Sequence, residues 1–234
     1  MADQSADFLA GRVTRREPLS LRRIARAALT LLDESGLSAV TMRAVAQRLD
    51  VEAMSLYRYV ASRDRMLDAV IDEVVDELAD DPAVELSPTV GWEDWLTGMA
   101  HGVRRYSRKH PRAFPLIATH PSSAPWLNPP LRSQRWVEAL LAGLVGAGFD
   151  DRETLFAYRV FNTFLLGYLL LETTALVSPG IEASGGASPA TAADFPTLAR
   201  LAAELAEDAW DREFDSGVQA MLARIEAFRG TPAT

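Results

Sequence analysis

At 234 residues and 48% hydrophobic content, the chain can build one large domain or two smaller ones around a real core, which argues against wholesale disorder. It has no cysteine, so disulfides, thiol catalysis and Cys-ligated zinc are excluded. A net charge of −8 by itself speaks against nucleic acid, but the charge is unevenly spread: residues 1–65 hold 11 Arg against 8 acids (net +3), and the rest hold 13 Lys/Arg against 24 acids (net −11). A phosphate would meet the local field of the first part, screened over roughly 8–10 Å.

Taken in chain order, residues 1–18 read as a flexible basic arm with Arg12, Arg15 and Arg16, closed by Pro18. Ser20 is placed to cap a helix over 21–34, whose Ile24, Ala27, Ala28, Leu31 and Leu32 share one face. Gly36 ends it. Thr41 caps a second helix with Ala44, Val45 and Leu49 inward; Asp50-Val51-Glu52 turns the chain; a third helix, roughly 53–59, points Leu56 inward. Ser62 caps a long fourth helix with an apolar stripe from Met66 to Leu78, whose acids Asp72, Glu73, Asp76 and Glu77 are assigned to a solvated face. A linker follows, bracketed by Asp80-Asp81-Pro82 and Ser87-Pro88.

The pattern beyond stays helical: about 90–109, 112–118, 131–147, 151–176, 197–208 and 213–229, with Asp150 and Glu153 set as a capping box. Strictly alternating β-branched segments are missing. Residues 177–196, rich in Gly, Ser, Ala and Pro, read as a mobile loop. The predicted fold is all-α: arm 1–18, a three-helix helix-turn-helix domain over 19–65, and a larger helical effector-binding and dimerisation domain over 66–234. With no signal-peptide pattern at the start and no uncharged apolar run of about 18 residues, the expectation is a cytoplasmic protein without a membrane partner.

The segment TMRAVAQRLDVEAMSLYRYV (41–60) carries the most chemistry. A helix-turn-helix seats its second helix in the DNA major groove. Leu56 anchors that helix while Ser55, Tyr57, Arg58 and Tyr59 face outward. Arg58 can fork onto a guanine edge, worth roughly 1–3 kcal/mol of discrimination. The two Tyr can bond phosphates or pack on thymine methyls, and Arg43 can reach a base or a phosphate. Backbone N–H groups at Ser62-Arg63 suit a phosphate. An ordinary small bundle has no packing reason for exposed Tyr-x-Tyr beside Arg.

Residues 20–71 resemble the DNA-binding domain of the tetracycline-repressor (TetR) family. The resemblance rests on LLDESGLSAVTMRAVAQRLDV and LYRYVASRDRMLDAVID, with Leu-Tyr-x-x-Val before a Ser-Arg cap. It implies DNA contacts from Arg43, Ser55, Tyr57, Tyr59 and Arg63; with the residue reading above, the candidate set is Thr41, Arg43, Ser55, Tyr57, Arg58, Tyr59 and Arg63. Asp50 stands where the family commonly has Gly, and Asp tolerates left-handed backbone better than most residues. More loosely, GWEDWLTGMAHGVRRYSRKHP, VEALLAGLVGAGFDDRETLFAYRVFNTFLLGYLLLE and FDSGVQAMLARIEAF resemble the subclass of the tetracycline repressor. That implies a homodimer paired through helices near 151–176 and 213–229, a palindromic double-stranded operator, and release by a small-molecule effector.

Polar residues among large apolar ones mark a pocket. Its candidate ligand-binding residues are Met99, Val103, Leu116, Ile117, Trp126, Trp136, Asn162, Tyr168 and Glu172, with Trp92, Trp95 and Phe114 as further wall. Glu172 falls where the subclass has an acid associated with its metal–drug complex. The magnesium-ligating imidazole of that subclass has no counterpart in Phe-Pro-Leu-Ile-Ala-Thr (114–119), and His120 lies just beyond. The expected effector is therefore mainly hydrophobic or aromatic, without metal or cofactor. Catalysis is not expected: the histidines, His101, His110 and His120, pair with no G-x-S-x-G, Gly-rich phosphate loop or H-E-x-x-H. The expected function is a DNA-binding repressor; the alternatives are an activator of the same fold or a non-catalytic small-molecule-binding protein.

Overall fold

A computed structural model describes residues 18–80, 84, 91–119, 134–177 and 194–229. The basic arm up to residue 17, most of the 80–88 linker, His120, Trp126 and residues 178–193 of the expected loop lie outside the described residues. Those described form helices and turns, with no strand among them.

Local chemistry sets the first four helices. The Ser20 hydroxyl accepts from the Arg23 N–H (3.2 Å) and starts α1, Leu21–Ser35. Gly36, at φ 80°, ends it by donating its N–H to Leu32 O. After a short 3-10 turn, Thr41 caps α2, Met42–Leu49, by accepting from Ala44 N–H at 3.1 Å. Asp50 takes the left-handed conformation (φ 53°, ψ 52°) in the turn to α3, Ala53–Leu56. The third helix is thus shorter than its sequence pattern: residues 57–59 continue as a turn, with the Tyr59 and Val60 N–H groups donating back to Leu56 O. Ser62 caps α4, Arg63–Ala79. Ile24, Ala28 and Leu32 of α1, Val45 of α2, Leu56 of α3 and Met66 and Val70 of α4 are fully or almost fully buried in one core.

The assignment of Glu73 to a solvated face is overturned. It is buried and takes Arg26 Nε at 2.6 Å and Arg22 Nε at 3.0 Å, tying α1 to α4. A buried carboxylate needs such partners. Pairing with Glu73 raises the Arg22 pKa above its ordinary value.

In the body, α5 (Trp92–Lys109), α6 (Phe114–Thr119), α7 (Gln134–Gly146) and α11 (Trp210–Arg229) pack around α8 (Asp151–Val177). The Asp150–Glu153 capping box forms, each side chain accepting from the other's backbone N–H. By length and hydropathy α8 could cross a membrane; instead it has helical neighbours on several sides, which explains apolar residues around so much of its circumference. Two glycines permit close approach: a Cβ on Gly143 would sit 2.4 Å from the Trp95 ring, and one on Gly217 2.6 Å from the Phe164 ring. The helix expected over 197–208 is two pieces, α9 (Pro196–Arg200) and α10 (Ala202–Leu205).

Candidate nucleic-acid interface and effector cavity

The ends of α2 and α3 present the outward residues together. Thr41, Arg43, Tyr57, Arg58 and Tyr59 are exposed and Ser55 is half-buried. Most of the neighbouring arginines are neutralised. Arg48 grips Glu34 through two 2.6 Å bonds, Arg22 and Arg26 share Glu73, and Arg65 meets Asp68. Arg63 is also engaged: its Nε donates to Val40 O and its Nη2 to Leu37 O, both at 2.7 Å, so it braces the turn before α2 against the start of α4. Thr41 spends its hydroxyl oxygen on the cap. Arg43 and Arg58, by contrast, carry exposed guanidinium groups without a hydrogen bond or ion pair within the described residues. Met54, beside them on α3, is 73% exposed, the most exposed large apolar side chain among those described. Sequence reasoning passed over Met54, although an apolar residue on a helix with only one buried position was a signal.

A cavity of about 90 Å³ lies between α4 and the body. Its α4 wall is Ile71, Val74, Val75 and Leu78; Val103 and Tyr106 come from α5, Phe114 and Ile117 from α6, Trp136 from α7, and Asn162, Leu165 and Leu166 from α8. Of the expected residues it brings together Val103, Ile117, Trp136 and Asn162, with Phe114 of the further wall. The α4 wall was missed, although Val74 and Val75 side by side give that helix a second apolar face. Asn162 donates its amide N–H to Tyr158 O at 2.7 Å, and among the described residues no charged one lines the cavity.

Other expected residues sit elsewhere. Met99 is buried in the core, and Leu116 packs against the core without lining the cavity. Trp92 meets the Phe149 ring edge-to-face at 5.2 Å, and Trp95 lies over Gly143. Tyr168 donates its hydroxyl to Trp210 O at 2.6 Å. Glu172 is 1% exposed and held by Arg104, whose Nε reaches both carboxylate oxygens at 3.1 and 3.0 Å. Arg104 also bonds Asp211 at 2.8 Å and lies over the Phe214 ring. Burial works against the Arg104 charge, but Glu172 and Asp211 outweigh it and its pKa stands above the ordinary value. Glu172 thus serves a pin joining α5, α8 and α11.

A reading head with two arginines that lack a partner among the described residues, joined through α4 to a helical body with an apolar cavity, defines a helix-turn-helix protein with a separate apolar chamber. Residues 20–70 match the bacterial regulatory proteins of the tetR family, and residues 86–229 match the tetracyclin repressor-like C-terminal domain. Over 93% of its length the chain is 30% identical to an HTH-type transcriptional regulator of Saccharopolyspora erythraea, covering 89% of that protein. It is 31% identical to the class E tetracycline repressor protein of Escherichia coli, with 92% of this chain and 96% of that one covered. The solved structure of Streptomyces coelicolor ActR with actinorhodin superposes with a TM-score of 0.68 at 28% identity, covering 92% of this chain and 99% of that one. The chain belongs to the tetracycline-repressor family: it is a DNA-binding transcriptional regulator with the all-α fold of that family.

Proposed function

We propose that the protein is a homodimeric repressor that holds a palindromic operator and leaves it when a mainly apolar or aromatic effector enters the cavity beside α4. The observation that carries the DNA reading is the pair of exposed guanidinium groups of Arg43 and Arg58, without a partner among the described residues, beside Tyr57 and Tyr59. An unpaired arginine there pays no ion-pair energy on meeting a phosphate or a guanine edge. Thr41 and Arg63 act mainly by position, setting the N-terminus of α2 and the turn before it. The uncharged lining supports an apolar effector, and ActR, a similar protein, has been solved with actinorhodin. Exposed Leu155, Leu171 and Leu176 leave α8 an apolar surface for a second copy. Two heads related by a two-fold axis read two half-sites, and an effector that favours one separation of the heads shifts DNA affinity.

Mapping of DNA bound in cells yields the operator, and its gel shift tests the head. Arg43→Ala with Tyr57→Ala should lower operator affinity at least 100-fold, because an arginine–base contact alone is worth roughly 1–3 kcal/mol. Circular dichroism and sedimentation should stay unchanged, since both side chains are exposed. Retained specific binding by the double variant would refute the assignment of the head.

A further inference from the structure

Tyr106, His110 and Asp33 meet in one contact between α5 and the end of α1. Tyr106 is a wall of the cavity. Its ring lies on the His110 ring, with centroids 4.6 Å apart and planes 32° apart. His110, at the C-terminal end of α5, places Nδ1 2.6 Å from Asp33 Oδ2 near the end of α1. Arg112 adds a 2.6 Å bond to the Asp33 carbonyl, and Lys109 reaches Glu77 of α4 at 2.9 Å. Burial, then the nearby Glu77, Asp33 and Glu73 carboxylates and a hydrogen bond to Glu77, push the Tyr106 phenol up, which keeps it neutral.

Resting on the effector reading of the cavity, we propose that Tyr106 and His110 are positioning residues that carry occupancy of the cavity to the end of α1, and so to the DNA-reading head. One face of this unit is cavity wall and the other is the bond to Asp33. A guest that displaces the Tyr106 ring must move His110, because the rings are in contact, and His110 then pulls or releases Asp33. The contact is direct at each step: ring on ring from Tyr106 to His110, then a 2.6 Å bond from His110 to Asp33.

The test uses the full chain and toluene, an uncharged aromatic of a size suited to the cavity. Binding is followed by tryptophan fluorescence, for which Trp136 in the wall is the reporter. Hydrogen exchange is read at amides 29–36 of α1 and, as reference, in α11, which gives no residue to the lining. In the wild type, toluene should change α1 exchange at least threefold more than it changes α11. His110 lies behind Tyr106 and does not itself line the cavity, so His110→Leu should bind toluene within twofold of wild type yet lose the α1 response. Asp33→Ala should lose it likewise, which keeps the test open if His110→Leu folds poorly. Asp33→Asn, which can still accept from the imidazole, should keep most of it. An α1 response surviving at full size in both His110→Leu and Asp33→Ala would overturn the proposal, as would a wild type that binds toluene without an α1 response. A wild type that binds no toluene would overturn the effector reading of the cavity itself, and this proposal with it.

Discussion

Replacing Arg104 by Met removes the cation that neutralises Glu172 while keeping most of the side-chain length. Glu172 is 1% exposed and Arg104 6%, so the carboxylate cannot simply turn to water. Breaking a buried pair by deleting one partner costs about 3–5 kcal/mol. Arg108 Nη1 lies 3.9 Å from Glu172 Oε1 and is half-exposed, so it can swing inward and recover part of the loss. The expectation is therefore the lower end, ~3 kcal/mol, or on the order of 10 °C in Tm for a chain of this size. Glu172→Gln should cost less, about 1–2 kcal/mol, because it is isosteric and leaves Arg104 its 2.8 Å bond to Asp211. Arg104→Met with Glu172→Leu should recover most of the single-variant loss, since no buried charge is stranded. Urea unfolding at one fixed protein concentration measures all three, a constant concentration being needed where folding and association are linked. If Arg104→Met lies within about 0.5 kcal/mol of wild type, or the double variant is no better than the single one, the pin does not stabilise the body as argued.

Gly143→Ala should destabilise by about 1–3 kcal/mol in thermal melts, because its Cβ would meet the rigid Trp95 indole at 2.4 Å. Asp50→Val should cost about 1–2 kcal/mol through left-handed strain at φ 53°, and Asp50→Gly clearly less; urea midpoints distinguish them. Arg104, then Arg108, hold the Asp211 carboxyl below its usual value of 3.8. A depressed carboxylate gives stability above that value and loses it as pH falls through the folded one. Melts taken from neutral pH downward should therefore fall more steeply below about pH 4 in wild type than in Asp211→Asn.

Caps and stripes were legible because they are local. Ser20, Thr41 and Ser62 each bond an N–H three residues ahead, and the apolar residues of α1 recur at helical spacing. The helix-turn-helix residues were legible for the same reason: a short helix needs few inward positions, so the remainder face outward. The partners of Glu73 and Glu172 were not legible. They lie 47 and 51 residues away for Glu73 and 68 for Glu172, and a sequence pattern gives no sign of a contact at that separation. Of the eight expected effector residues that are described, four line the cavity, because α8 is apolar on several sides and periodicity cannot say which side is hollow. Asn162 and Tyr168 are both polar residues on that helix; only Asn162 faces the cavity, while Tyr168 turns to Trp210.

Helix α4 has two apolar faces with different clients. Met66 and Val70 belong to the core of the reading head, whereas Ile71, Val74, Val75 and Leu78 wall the cavity. Glu73, on the same helix, binds α1 through two arginines. A guest pressing on the α4 wall would therefore move α1 with it rather than slide α4 past α1, because sliding would strand a buried carboxylate. Under the proposed mechanism α4 and α1 therefore move together when the effector enters. The cavity as it stands, about 90 Å³, is below the several hundred Å³ usual for drug-sized ligands. A larger effector must thus displace a wall to enter. Two walls are joined to the head, α4 through Glu73 and Tyr106 through His110, so a guest that displaces either acts on DNA reading.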